Sequence, residues 1–263
     1  IRSTNITLFF RIQSLFERKG HTPRIWLHFA QTELNLLNSC KWLPPGSRRK
    51  NYSFFLPRIF FRQMKTKIAI VGTGGVGGFL GGLLAAYYEK HEEIDIYFIS
   101  RGEALHRIRE RGLRVDAQTG TFIARPAAAT NRAEEIGPVD YVIYCTKAYD
   151  VEGGIRQILP CIGPETVILP FLNGVDSVEK IRRMLPGNEV WYGCVYVVAY
   201  ILEPGHIVEH TNGYRYLFGS PEGDPEKIEC LGNLFANAGI QAHPMPDIVR
   251  RVWDKFAYIS VSY

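Results

Sequence analysis

A run of glycines directly after a short apolar stretch, KIAIVGTGGVGGFLGG from Lys67 to Gly82, constrains this chain more than any other feature. "KIAIV" reads as a strand and "GGFLGGLLAAYYEKH" as a helix with a continuous apolar face. Between them, Gly72, Gly74 and Gly77 have the spacing G-x-G-x-x-G. Gly72 permits a tight turn, Gly74 lets the backbone approach a pyrophosphate, and Gly77 lets helix and strand pack closely. The helix N-terminus then offers free N–H groups and a positive dipole end to phosphates. The predicted cradle is therefore Gly72, Thr73, Gly74, Gly75, Val76 and Gly77, binding a dinucleotide. The competing reading is a glycine-rich turn without a ligand, since Gly75, Gly78, Gly81 and Gly82 show how freely glycine is used here.

Apolar runs and helical patterns alternate from Met64 onward. "IDIYFIS" and "VDYVIYCTK" read as strands, "TVILPFLNG" as a strand ending in a loop, and "LRVDAQTGTFIARP" as a hairpin around Thr119-Gly120. "GEALHRIRERG", "VEGGIRQIL" and "VDSVEKIRRML" read as helices. Strands and helices of this length imply parallel pairing through right-handed crossovers. The expected fold is α/β, a Rossmann-type doubly wound, mainly parallel sheet over residues 64–245. Within it, "EVWYGCVYVVAYILEPGHIVEHTNGYRYLFGS" reads as strands joined by tight turns at Pro204-Gly205 and Asn212-Gly213, the latter a hairpin signal. A helix "PEKIECLGNLFANAG" and a short strand "IQAHPM" follow. A last helix opens near Asp247 and runs to the end of the chain without a cap or breaker. Residues 246–263 are expected to begin a truncated, all-helical C-terminal domain.

Charge divides the chain. Residues 1–63 carry eleven Lys/Arg against two Glu, a net +9, and the remaining residues carry twenty basic against twenty-four acidic side chains, a net −4. The mildly acidic body argues against nucleic-acid binding by the folded part. The front segment has no Met, and the first Met, Met64, directly precedes "KTKIAIVG". Three readings fit residues 1–63: an Arg-rich targeting peptide, a basic membrane-surface or RNA-binding arm, or a non-native or disordered extension ahead of a true start at Met64. The missing Met at position 1 favours the third. Five scattered cysteines without CxxC spacing suggest structural thiols, a reducing cytoplasmic setting and no metal site. No stretch reads as membrane-spanning; "VWYGCVYVVAYIL" is 13 residues, too short to cross.

The end of the second strand bears on the cofactor. An Asp or Glu there would favour NAD through the ribose hydroxyls, whereas "FISRG" supplies Ser100 and Arg101. Arg101 is suited to a 2′-phosphate, so NADP(H) is favoured; alternatively it is an ordinary solvated arginine. Ligands of such folds sit beyond the carboxyl ends of the strands. Lys147 in "YCTKAYD" and Asn173 in "PFLNG" follow strands there and face the nicotinamide crevice, unless they are surface loop residues. Lys255 in "WDKFAY" lines the cleft if Trp253 and Phe256 face the core, where it could protonate a substrate oxygen and hold a carboxylate; the alternative is an exposed helix lysine. His210 and His243 lie in strand-like contexts without a paired nucleophile.

Taken together, "IVGTGGVGG", "SRG", "CTKAYD", "FLNGVDS", "PGHIVEH…YLFGS" and "WDKFAY", in this order, resemble the ketopantoate reductase (2-dehydropantoate 2-reductase) family over about three quarters of the chain. The resemblance implies NADPH-dependent reduction of a 2-oxo acid to the 2-hydroxy acid. It implies pyrophosphate binding by Gly72 to Gly77, Lys147 and Asn173 near the nicotinamide, Lys255 as proton donor, and Ala199 as a backbone contact to the cofactor. Asn173 and Lys255 would also hold the substrate. Two departures stand out. The family follows its lysine with asparagines four and eight residues later, where this chain has Ile259 and Tyr263, so a different 2-oxo acid is an open alternative. The family's helical domain, which supplies a serine and a glutamate and usually the dimer contacts, is absent beyond its first helix. Little or no reductase activity is therefore expected of this chain, and a homodimer would form through that domain. A Rossmann protein that binds NADP(H) without turnover is the alternative from another class.

Overall fold

A computed structural model describes residues 65–262. The expectations for residues 1–63, for Cys40 and for Tyr263 lie outside the described residues. Twelve strands and six α-helices follow in order among these residues. They are β1 (Thr66–Val71), α1 (Gly75–Tyr88), β2 (Ile94–Ile99), α2 (Gly102–Arg111), β3 (Leu113–Ala117), β4 (Gly120–Ala124), β5 (Ala128–Thr130) and β6 (Val139–Tyr144). Then come α3 (Val151–Ile158), β7 (Ile162–Pro170), α4 (Ser177–Met184), β8 (Tyr192–Tyr196), β9 (Ala199–Glu203), β10 (His206–Glu209), β11 (Arg215–Gly219), α5 (Pro225–Asn237), β12 (Ala242–Pro244) and α6 (Ile248–Ser262).

The central sheet has the order β5-β2-β1-β6-β7, and every pair in it is parallel. Strand order reverses between β1 and β6, which opens a crevice beyond their carboxyl ends. Buried on both faces, β1 reads as an unbroken apolar run, as parallel strands do. Ile68 and Ile70 enter the core shared with α1, while Ala69 and Val71 face the opposite core with Ile155 of α3 and Ile181 of α4. This is the doubly wound α/β arrangement that the alternating pattern predicts.

Two smaller sheets complete the molecule, ordered β4-β3-β10-β9 and β12-β11-β8. The hairpin at Thr119-Gly120 forms as expected, joining antiparallel β3 and β4, and Pro204-Gly205 joins antiparallel β9 and β10. Asn212-Gly213 does not make a hairpin. β10 is paired on one edge with β9 and on the other with β3, so it has no edge for β11. β11 instead pairs with β8 and β12, and the Asn-Gly turn carries the chain from one sheet to another. The third sheet is tied to the first where Trp191 N–H donates to Ile168 O at 2.9 Å. Asp224 caps α5 by accepting from Glu226 N–H at 2.9 Å, with Pro225 at the first helical position.

α1 is the element around which the rest is arranged. It packs against β1 and β2 of the central sheet and against β3, β4, β9 and β10 of the second. A helix wedged between two sheets cannot afford a polar face, and Phe79, Leu80, Leu84, Ala85 and Tyr88 are all buried. The glycines that looked incidental are packing residues. A Cβ at Gly81 would lie 3.0 Å from both Ile70 and Phe98 of the central sheet. On the other side, a Cβ at Gly78 would lie 2.7 Å from Ile207, and one at Gly82 2.8 Å from Val115. Gly81→Ala should therefore destabilise the protein by about 1–3 kcal/mol in urea unfolding, although alanine is the better helix former by about 1 kcal/mol. An unchanged or raised midpoint would show that this contact is not tight.

Candidate functional site

The turn after β1 closes by three contacts. Gly72 has φ of +92°, a region that favours glycine, and its N–H donates to Ile99 O at 3.0 Å. A Cβ on Gly72 would stand 2.9 Å from the carbonyl oxygen of Cys145, which follows β6. A Cβ on Gly77 would strike Gly72 O and lie 2.7 Å from Cys145 Cβ, so helix, turn and neighbouring strand meet without side chains between them. Gly75 is similarly closed by Ala199 O at the start of β9. Ala199, distant in sequence, is thus brought onto the loop.

Gly74 differs from its neighbours. A Cβ there would meet nothing within 4 Å, so this bare backbone faces open space at the head of α1. The first intrahelical bond is Gly78 N–H to Gly74 O, at 2.6 Å. The N–H groups of Gly75, Val76 and Gly77 precede it and have no intrahelical acceptor. The first turn carries no acidic side chain to occupy the positive dipole end. This cradle fits the pyrophosphate of a dinucleotide. Thr73 turns its hydroxyl inward, Oγ1 lying 2.6 Å from Ser100 Oγ, and both residues are buried. The turn is thereby locked to the end of β2, and only the backbone of Thr73 is left for a ligand. The carbonyl of Val76 accepts from Tyr216 Oη at 3.5 Å.

The second group of residues gathers at the ends of β6 and β7. Lys255, halfway along α6, donates from Nζ to Asn173 Oδ1 at 2.9 Å and to Val195 O at 2.7 Å. Its ammonium lies 5.6 Å from the Tyr196 ring centroid, within reach of a cation–π interaction. Two candidates separated by 82 residues are therefore in direct contact. Trp253 and Phe256, whose burial was the condition set for Lys255 to line the cleft, are exposed and pack on each other. The half-buried stripe that carries Lys255 is instead Val249, Val252 and Ile259, at helical spacing. Lys147 is exposed at the end of β6, and its carbonyl accepts from Asp150 N–H at 3.0 Å. Arg101 begins α2 and pairs with Asp150 at 3.3 Å. No hydrogen bond or ion pair joins either to Lys255 or Asn173 among the described residues.

Sequence reasoning missed the carbonyl of Val195 and the ring of Tyr196 beside Lys255, because nothing in a strand pattern marks a neighbour across the fold. It also missed Asp150 as the partner of Arg101, though Asp150 closes the quoted "CTKAYD". His210 sits beside Tyr200, its Nε2 3.3 Å from the hydroxyl, and His243 is exposed on β12; neither touches Lys255. His206 is buried against Asp116 at 2.6 Å on the second sheet. Hydrogen bonds from Arg114 and His206 hold the Asp116 carboxyl down to about 2. Among the described residues there is no cluster of three or more metal-binding side chains, and no helix is long and apolar enough to cross a membrane.

A parallel sheet that reverses order beside a glycine-lined turn defines a Rossmann-type α/β protein. A family profile described as "Ketopantoate reductase PanE/ApbA" matches residues 68–223, more than half of the chain. The chain belongs to this family of oxidoreductases. It is 29% identical over 195 residues to the uncharacterized oxidoreductase YkpB of Bacillus subtilis, covering 74% of this chain and 62% of that protein. It is 29% identical to 2-dehydropantoate 2-reductase of Mesorhizobium japonicum, covering 72% of this chain and 63% of the relative. The crystal structure of 2-dehydropantoate 2-reductase from Porphyromonas gingivalis W83 matches with a TM-score of 0.71 and 40% identity, over 75% of this chain and 70% of that one. The chain thus spans under two thirds of the length of those two curated relatives. D-mandelate dehydrogenase, solved with NADH and anilino(oxo)acetate, shares the fold at 23% identity, with a TM-score of 0.63 over 72% of this chain and 60% of that one.

Burial holds the Lys255 ammonium below the ordinary lysine value of 10.5. The sign of the consequence follows from proton counts. Between the lowered folded value and 10.5 the unfolded chain binds the extra proton, so Lys255 makes stability rise with pH across that window. In a lysine side-chain NMR titration, the resonance removed by Lys255→Arg should titrate below the exposed lysines. Titration with or above them would contradict this burial.

Proposed function

We propose that this chain reduces a 2-oxo acid to the 2-hydroxy acid at the cleft between the glycine loop and α6, with 2-dehydropantoate as the nominal substrate and NADPH as the reductant. The contact of Lys255 with Asn173 carries this reading, because it sets a half-buried amine at the mouth of the crevice beyond β6 and β7. A reduced nicotinamide bound in the crevice supplies the hydride. Gly72 to Gly77 hold its pyrophosphate through backbone N–H groups, with Ala199 bordering the loop. Arg101 meets the 2′-phosphate, and Lys147 and Asn173 border the nicotinamide end.

Lys255 donates a proton from Nζ to the substrate's carbonyl oxygen as the adjacent carbon is reduced, and recovers it from solvent. One 2-oxo acid, one NADPH and one proton give one 2-hydroxy acid and NADP⁺. Val195 O and Asn173 Oδ1 fix two N–H directions of Lys255, which leaves the third for the substrate. Burial lowers the cost of losing that proton. Ammonium charge also holds the substrate carboxylate. Ile259, half-buried one turn beyond Lys255 where the family carries asparagine, favours a second reading of the same chemistry with a less polar 2-oxo acid.

A panel of 2-oxo acids assayed with NADPH tests this. Measurable turnover of at least one acid of the panel is expected. Lys255→Ala should lower that turnover by about 10²–10⁴-fold while NADPH binding, followed by nicotinamide fluorescence, stays within about twofold. Equal turnover in the variant would remove Lys255 from the chemistry. Tight NADPH binding with no reduction of any acid would favour a non-catalytic binding protein.

A further inference from the structure

Arg101 does not stand alone at the end of β2. Its Nη2 lies 3.3 Å from Oδ2 of Asp150, with the two side chains 75% and 38% exposed. The pair crosses the crevice. Arg101 follows β2, Asp150 ends the short turn after β6, and β1 with its glycine loop runs between those strands. The position of Asp150 is built rather than incidental. Its N–H donates to Lys147 O at 3.0 Å, and its carbonyl accepts from Tyr144 Oη at 3.4 Å. Its carboxylate lies against the first turn of α3, where a Cβ at residue 153 would come within 2.5 Å of Oδ1. Gly153 leaves that space free for the carboxylate at the head of α3. A fixed negative charge therefore stands against the one guanidinium that a 2′-phosphate would use.

We propose that Asp150 sets the choice between phosphorylated and unphosphorylated nicotinamide dinucleotides, holding down the preference for NADP(H) that Arg101 confers. This rests on the reading of Gly72 to Gly77 as a dinucleotide cradle. A phosphate monoester carries about −1.5 to −2 charges near neutral pH, so it must share Arg101 with Asp150 or displace it. An unphosphorylated ribose brings hydroxyls that a carboxylate accepts from, and meets no repulsion. Because both side chains are exposed, screening limits the effect to about five- to tenfold in the affinity ratio.

Calorimetric binding of NADP⁺ and NAD⁺ to the full 263-residue chain reads this without turnover. In Asp150→Asn, the affinity for NADP⁺ relative to NAD⁺ should rise about five- to tenfold, and the gain should shrink between about 20 and about 500 mM salt. Asp150→Ser, uncharged and a good helix N-cap, should give the same rise, so a folding defect in either variant does not decide the outcome. Both dinucleotides bound at an unchanged or lowered ratio in a folded variant would overturn the role of Asp150 and leave the cradle standing. Binding of neither dinucleotide by the wild-type chain would overturn the cradle, and this inference with it.

Discussion

The close approach of the turn after β1 to the head of α1 and the end of β6 is the constraint on which the structure depends. Three backbone segments meet there with only Gly72 and Gly77 between them. One side chain larger than hydrogen would force the helix off the strand. That contact fixes the direction in which α1 leaves the sheet, and so aims its unpaired N–H groups into the crevice at the strand reversal. The same geometry leaves Gly74 bare toward open space. Crowding on one side of the loop and vacancy on the other are two results of one packing solution.

α1 then transmits this constraint outward. Lying between two sheets, it needs small residues on both flanks, which Gly78, Gly81 and Gly82 supply. The second sheet in turn carries Ala199 onto the loop, closing the side of Gly75. At the far end of the crevice, Ile248 of α6 is fully buried, and Arg251 O lies 3.8 Å from Cys194 Sγ of β8. This anchorage sets Lys255 against Val195 and Asn173. In the proposed reading the two ends serve one ligand, with phosphates at the glycines and the reacting carbon near Lys255.

Much of this was legible in the sequence, for identifiable reasons. β1, β2 and β6 show as apolar runs because both of their faces are buried, and the glycine spacing shows because backbone crowding tolerates no substitute. The meeting of Lys255 with Asn173 was not derivable from either residue's surroundings, because it depends on how α6 sits on β8. Asn212-Gly213 misled because a turn signal reports local conformation, whereas pairing depends on which strand edges are free, and β3 had already taken β10. The helix face of Lys255 was left open in the sequence, because the apolar type of Trp253 and Phe256 does not by itself choose a face. The Arg101–Asp150 pair was hidden because its partners lie 49 residues apart on loops without periodicity.

In the proposed function, the open face of Gly74 is where a dinucleotide's pyrophosphate lies. Gly74→Val tests it most directly, since the added side chain meets no protein atom within 4 Å of its Cβ. NADPH binding and thermal midpoint would be measured on wild type and variant together. Expected are a midpoint lowered only slightly, by the loss of a favourable N-cap residue at the head of α1, and a loss of NADPH binding of about a hundredfold or more, roughly 2.7 kcal/mol. A variant that folds normally and binds NADPH as the wild type does would contradict it.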